Sequence, residues 1–224
     1  MFMKVTSEYG FTEASPGMTA TRWDDSFEVR CHTVGKAFEH TEVKVLDKDG
    51  NECAVGEEGE LCNRGYNNML GYYKDEKSTK EILDDQGFLH TGDLGYKDAD
   101  GNFHVTGRIK EMIIRGGENI SPMEIEDVIL RSGMVESVKV VGIPSRFRSE
   151  EVAACVIAKN GNVLNMASFY DFLKPRIASY KIPKYVLSFE EFPMTASGKI
   201  DLTEIRQQAI KLTARPNERC FVNA

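Results

Sequence analysis

The chain has 224 residues, enough for one large domain or two small ones with ordinary hydrophobic cores. Its 41% hydrophobic and 28% charged residues exclude wholesale disorder. A formal net charge of −7 argues against a general nucleic-acid binder. No apolar run approaches the roughly 18 residues of a membrane span, so no transmembrane segment is expected. The opening MFMKVTSEYG has no apolar signal core.

The charge is spread unevenly. Residues 1–109 hold 12 basic and 21 acidic side chains, a net of −9, whereas residues 110–224 hold 16 and 14, a net of +2. This hints at two folding units with different partners. The five cysteines, Cys31, Cys53, Cys62, Cys155 and Cys220, are odd in number and form no CxxC pair. That argues against a zinc site or a disulfide framework and for a reducing, cytoplasmic compartment.

In chain order, the first half reads as short strands and turns. Strands are expected at 42–46 and 59–65, a turn at Asp47-Lys48-Asp49-Gly50, and a brief helix from Asp75 to Leu83. Asp98-Ala99-Asp100-Gly101 is a second turn signal, with alternation at 102–105 after it. The second half mixes helix and strand. Met112-Ile113-Ile114 reads as a buried strand. Ser121-Pro122-Met123-Glu124 reads as a helix start, with Ser121 as N-cap and Glu124 closing a capping box. Ile125, Val128 and Ile129 then follow helical spacing to a stop at Gly133. Strands are expected at 135–143, 152–158 and 185–189. Helices are expected at 167–179, kinked at Pro175, and at 203–212. Residues 214–224 lack periodicity and read as a fraying end. The fold class is α+β: a small β-rich part, then a compact α/β part with a short mixed sheet and helices.

Three clusters stand apart from this core pattern. In Tyr9-Gly10-Phe11-Thr12-Glu13, a hydroxyl beside an acid suits a phosphate oxygen and a Mg²⁺ ion, and an aromatic beside glycine suits a flat base. The second cluster runs from Thr91-Gly92-Asp93 to Gly107-Arg108-Ile109-Lys110; an aspartate there suits a ribose diol. The third is Thr195-Ala196-Ser197-Gly198-Lys199-Ile200, whose lysine is a mobile point charge able to bridge carboxylate and phosphate. It is not a phosphate-binding loop of the G-x-x-x-x-G-K-[ST] type, because the first glycine is absent. Taken singly, each cluster is a weak signal, and the first reads more readily as a polar turn. His32, His40, His90 and His104 show no ligand spacing and read as structural.

The order of the clusters carries more than any one of them. Together with GRIKEMIIRGGENISPMEIE at 107–126, they resemble the AMP-forming adenylating enzymes, from about Glu8 to about Arg206, and most closely the acyl-CoA and aryl-CoA ligase branch. The resemblance implies a two-step reaction in which a carboxylate attacks ATP to give acyl-AMP, and a thiol, usually that of coenzyme A, then displaces AMP. It implies that Tyr9 and Gly10 flank the nucleotide, Thr12 contacts the α-phosphate and Glu13 holds Mg²⁺. It further implies that Asp93 takes the ribose hydroxyls, Arg108 supports ribose and phosphate, and Lys199 serves adenylation. Lys110 falls at the family's hinge, and Arg115, Gly116 and Gly117 at the passage for the pantetheine arm.

The resemblance divides the chain into 1–109, the end of an adenylation domain, and 110–224, the mobile C-terminal domain. The family's Ser/Thr-Gly phosphate loop and acyl pocket have no counterpart in these residues, so a fragment is expected, inactive alone in adenylation and in need of an N-terminal region. The parent would be a fatty- or aryl-acid–CoA ligase. The alternatives are an adenylation domain that loads a carrier protein, and a non-catalytic or split-enzyme binding module. Two local departures from the family pattern are Pro144–Glu150, without the usual Asp and Gly, and Asp201, where a basic residue is common.

Overall fold

The structure, a computed structural model, describes residues 4–161, 164–214 and 220–222. The chain divides into two compact units, Met1–Lys110 and Glu111–Ala224.

The first unit is mostly β. Strands β1 (Glu8–Tyr9), β2 (Thr19–Ala20) and β3 (Lys36–Ala37) form a small antiparallel sheet, with helix α1 (Phe27–His32) between β2 and β3. Strands β4 (Thr41–Leu46), β5 (Gly59–Gly65), β6 (Leu89–Lys97) and β7 (Phe103–Arg108) form an antiparallel meander, with α2 (Glu76–Ile82) between β5 and β6. The two Asp-x-Asp-Gly-Asn turns work alike. Asp47 Oδ1 accepts from the amides of Asp49 and Asn51, and Asp98 Oδ1 from those of Asp100 and Asn102. Val43, Val45, Leu61 and Phe103 build this unit's main core with Ala14 and Met18. The Asp75 side chain caps α2 by accepting from the Ser78 amide.

The second unit is a sheet with helices on both faces. Strands β8 (Ile113–Arg115) and β9 (Glu118–Ile120) make a hairpin, and α3 (Pro122–Arg131) follows. Strands β10 (Val135–Ser145) and β11 (Ser149–Ala158) are a long antiparallel pair. Then come α4 (Met166–Leu173), β12 (Tyr185–Ser188), α5 (Leu202–Ala214) and β13 (Cys220–Val222). The sheet is mixed, because β12 runs parallel to β11 while β13 runs antiparallel to β12.

Strand β11 shows why the layers form. Val152, Ala154 and Val156 face the core built with Ile125, Ile129 and Phe169. Ala153 and Cys155 face the opposite core, built with Ile205 and Ala209. A strand covered on both faces reads as a continuous apolar run, which is what VAACVIA is.

Four expectations change in detail, and two departures from the family pattern find their structural setting. Ile113 is buried, but Ile114 is 49% exposed, so 112–114 is a half-buried edge rather than a buried strand. The helix at 122 starts after Ser121 as expected, but the Ser121 side chain makes no cap bond, and the Glu124 carboxylate meets Lys181 Nζ at 2.6 Å. Helix α4 ends at Leu173 instead of running through a kink at Pro175 to 179, since proline lacks the amide that the next turn needs. Residues 220–222 form a strand, not a frayed end; 215–219 and 223–224 lie outside the described residues. Asp201, the departure after Gly-Lys-Ile, accepts from the Glu204 amide at 3.0 Å and thereby caps the start of α5. In the other departing loop, Ser149 takes the left-handed conformation, φ 63°, that glycine would adopt more cheaply.

Candidate functional site

In the first unit, three distant segments meet at Asp93. Tyr9 lies on β1, Asp93 on β6 and Arg108 on β7, directly across from Asp93 in the antiparallel register. The Tyr9 hydroxyl donates to Asp93 Oδ2 at 2.7 Å, and Arg108 Nε lies 2.8 Å from Oδ1. The Arg108 contact is a charge pair, since Oδ1 accepts no aligned hydrogen bond. Asp93 is 7% exposed, while the Arg108 side chain reaches into solvent. Burial raises the Tyr9 phenol well above its usual value, and Asp93 adds to this, so Tyr9 remains a donor. A buried carboxylate with an oxygen still able to accept suits a pair of hydroxyl donors such as a ribose diol.

Gly10 is required by close approach: a Cβ there would stand 1.9 Å from the Pro16 carbonyl oxygen. Thr12 opens the 3-10 turn Thr12–Ala14 and is exposed. Glu13 is held at both ends. Its carbonyl accepts from the Met69 amide at 2.8 Å, and its carboxylate Oε1 accepts from the Tyr72 hydroxyl at 2.7 Å. That bond to Glu13 pushes the Tyr72 phenol up, so it too remains a donor. One carboxylate oxygen is thus steadied, and a carboxylate is the kind of hard oxygen ligand that suits Mg²⁺.

In the second unit, Lys199 closes a tight hairpin. Met194 and Ile200 pair, the Thr195 amide donates to the Lys199 carbonyl at 2.7 Å, and Gly198 takes φ 78°. The Lys199 amide donates to Thr195 Oγ1, and its side chain is exposed. Arg115 and Glu118 flank a two-residue turn whose glycines, Gly116 and Gly117, both have positive φ. The Arg115 guanidinium faces inward: Nε lies 2.7 Å from Glu151 Oε2, and an Nη donates to the Tyr180 carbonyl. Gly116 and Gly117 are the exposed part of this segment. Lys110 lies in the turn Ile109–Glu111, where the first unit ends.

Tyr72 and Glu60 are not singled out by the sequence, and His90 is expected there only as a structural histidine. Tyr72 was signalled only by an aromatic pair after Gly71. Glu60 and His90 sit in strands whose pairing no local pattern gives. His90 Nδ1 lies 2.8 Å from Glu60 Oε2 and 3.4 Å from Cys62 Sγ.

Residues 1–73 match the family model described as AMP-binding enzyme, and residues 124–199 match that described as AMP-binding enzyme C-terminal domain. The chain belongs to the AMP-binding, adenylate-forming enzyme family. It is 45% identical over 209 residues to YngI of Bacillus subtilis, which is named as an acyl-CoA synthetase; the match covers 93% of this chain and 38% of that protein. It is 38% identical over 201 residues to the human mitochondrial medium-chain acyl-CoA ligase ACSF2, covering 89% and 33%. Among solved structures, ATP-bound MatB of Rhodopseudomonas palustris matches with a TM-score of 0.85 at 31% identity, over 93% of this chain and 41% of that one. MenE of Bacillus subtilis, an o-succinylbenzoate CoA synthetase in complex with the acyl-adenylate OSB-AMP, matches with 0.82 at 29%, over 97% and 42%. The chain thus spans less than half the length of these relatives.

Proposed function

We propose that the chain is the C-terminal portion of an AMP-forming carboxylate–CoA ligase, with a fatty or aryl acid as substrate. The observation that carries this is the convergence of Tyr9 and Arg108 on the buried Asp93 carboxylate, in a chain whose relatives include proteins named as an acyl-CoA synthetase and an acyl-CoA ligase. On this reading Asp93 receives the ribose hydroxyls of ATP, Tyr9 and Gly10 border the nucleotide, and Arg108 balances the charge of carboxylate and phosphate. Thr12 faces the α-phosphate. Glu13, steadied by Tyr72, would hold Mg²⁺, which when bound offsets phosphate charge as the carboxylate approaches. Lys199, exposed on a rigid hairpin, supplies positive charge where carboxylate and phosphate oxygens crowd together. Residues 1–109 are the end of the adenylation domain and 110–224 the mobile domain, with Lys110 as the hinge. The Gly116-Gly117 turn lets coenzyme A pass close to the backbone.

Among the described residues, no helix is long and apolar enough to cross a membrane. The acid and coenzyme A are the expected partners, together with the N-terminal adenylation region. A cytoplasmic setting accords with five unpaired cysteines.

The test is AMP binding by the chain, measured calorimetrically. Asp93→Asn keeps the shape but removes the charge that hydroxyl donors would meet, and should weaken binding about tenfold. Unchanged affinity would contradict the ribose role. Carboxylate-dependent pyrophosphate exchange by the 224-residue chain should be absent; exchange would contradict the assignment as a portion of the enzyme.

A further inference from the structure

We propose that Glu60 is a positioning residue for nucleotide binding: from β5 it clamps the backbone of Thr91-Gly92-Asp93 and so sets where the Asp93 carboxylate stands. The proposal rests on the reading of Asp93 as the ribose acceptor.

The β5–β6 ladder slips just where Asp93 is delivered. Glu60 pairs with Leu94 and Cys62 with His90, so that Leu61 alone opposes Thr91, Gly92 and Asp93. A bulge of this kind re-aims side chains but leaves backbone groups without ladder partners. Side chains supply the replacements. Thr91 Oγ1 donates to the Leu61 carbonyl at 2.8 Å and accepts from the Asp93 amide at 2.9 Å. The Gly92 amide donates to Glu60 Oε1 at 2.8 Å. Gly92 has φ 72°, a conformation that glycine adopts most readily, and nothing lies within 4 Å of where a Cβ would stand. A hydrogen bond to an ionised carboxylate is the stronger kind, and Glu60 is mostly shielded from water, its side chain 19% exposed.

Glu60 is itself held. Its second oxygen meets His90 Nδ1 at 2.8 Å, and the other ring nitrogen faces Asp84 Oδ2 at 3.7 Å. Glu60, Cys62 and His90 bring their donor atoms within 4.8 Å of one another, the donor set of a metal site. Here the protein engages both Glu60 oxygens, one with the Gly92 amide and one with the His90 ring. The group therefore acts as a hydrogen-bonded brace: His90 fixes Glu60, Glu60 fixes Gly92, and Gly92 fixes the approach of Asp93 to Tyr9 and Arg108.

The experiment compares Glu60→Ala, Glu60→Gln and Asp93→Asn in the full chain. It uses AMP as the probe in calorimetry, amide exchange at Gly92 and Asp93 by NMR, and the thermal midpoint. Glutamine can still accept from Gly92 and donate to His90, so E60Q should bind AMP within about twofold of the wild type. E60A should bind about tenfold more weakly and exchange the Gly92 amide faster. A merely structural Glu60 would lower the E60A midpoint and leave the AMP affinity of the folded protein unchanged. That result, with D93N weakened, overturns the proposal while sparing the ribose reading. Wild-type affinity in D93N overturns both. An E60A too unstable to measure leaves E60Q decisive: a tenfold loss there contradicts the clamp, and retained affinity with a protected Gly92 amide supports it.

Discussion

Burial gives Asp93 its leverage. At 7% exposure its charge meets few waters, so each donor placed against it counts for more than at a surface. Tyr9→Phe removes one such donor, leaving Asp93 with the exposed Arg108. Freed of its phenol, Asp93 should still receive a ribose, and Y9F should weaken AMP binding less than D93N does, by about threefold against about tenfold in the same calorimetric titration. Equal losses would make Tyr9 as central as Asp93. At this scale Tyr9, Asp93 and Arg108 are singled out only by the order of the motifs, because an aspartate or an arginine in a polar turn, taken singly, has many uses. Their partners are not singled out. The bond from Tyr9 spans 84 positions, and the brace from Glu60 depends on a slip in strand register that no alternation pattern encodes.

Most elements were legible where local chemistry agreed with packing. The run 152–158, the helix repeat at Ile125 and Ile129, and both Asp-x-Asp-Gly turns formed as their patterns require. Legibility failed where tertiary partners decided. The Glu124 carboxylate pairs with Lys181 from a distant segment, the Ser121 side chain makes no cap bond, and Cys220–Val222 became a strand by pairing with Tyr185–Leu187. Ile125 is wholly buried beneath the sheet, whereas Met123 on the same helix is 39% exposed. Ile125→Ala should therefore cost about 2–5 kcal/mol and Met123→Ala about 0.5 kcal/mol or less, read from urea unfolding midpoints. Similar costs at both positions would contradict the packing described.

The β6–β7 turn adds a pH dependence. Burial alone would raise the Asp98 carboxyl, but the His104 ring and the Asn102 amides outweigh it and hold it below the usual range. Its stabilising contribution is thus complete above the unfolded value of about 3.9, and is lost as pH falls from there through the lower folded value. Asp98→Asn should be less stable at pH 7, and its stability should change less below pH 4. An acid limb as steep as that of the wild type would contradict this.

For the whole molecule, each unit has its own core and its own buried thiol: Cys62 in the first, Cys155 in the second. Burial raises both thiols, and neither is exposed, so thiol reagents should spare them in the native state while labelling the exposed Cys31. In a urea series, labelling of Cys62 and of Cys155 should report each unit's unfolding in turn; labelling of both before any loss of structure would contradict the burial. The division of charge between an acidic front and a slightly basic rear accords with their proposed tasks, the rear meeting polyanionic coenzyme A.

In the proposed carboxylate–CoA ligase, Lys199 serves the first half-reaction. In the complete protein that carries this chain, Lys199→Ala should be assayed both for carboxylate-dependent ATP–pyrophosphate exchange and for thioester formation from supplied acyl-AMP. Exchange should fall about 10²–10³-fold while thioester formation stays near that of the wild type. Equal losses in the two half-reactions would contradict it.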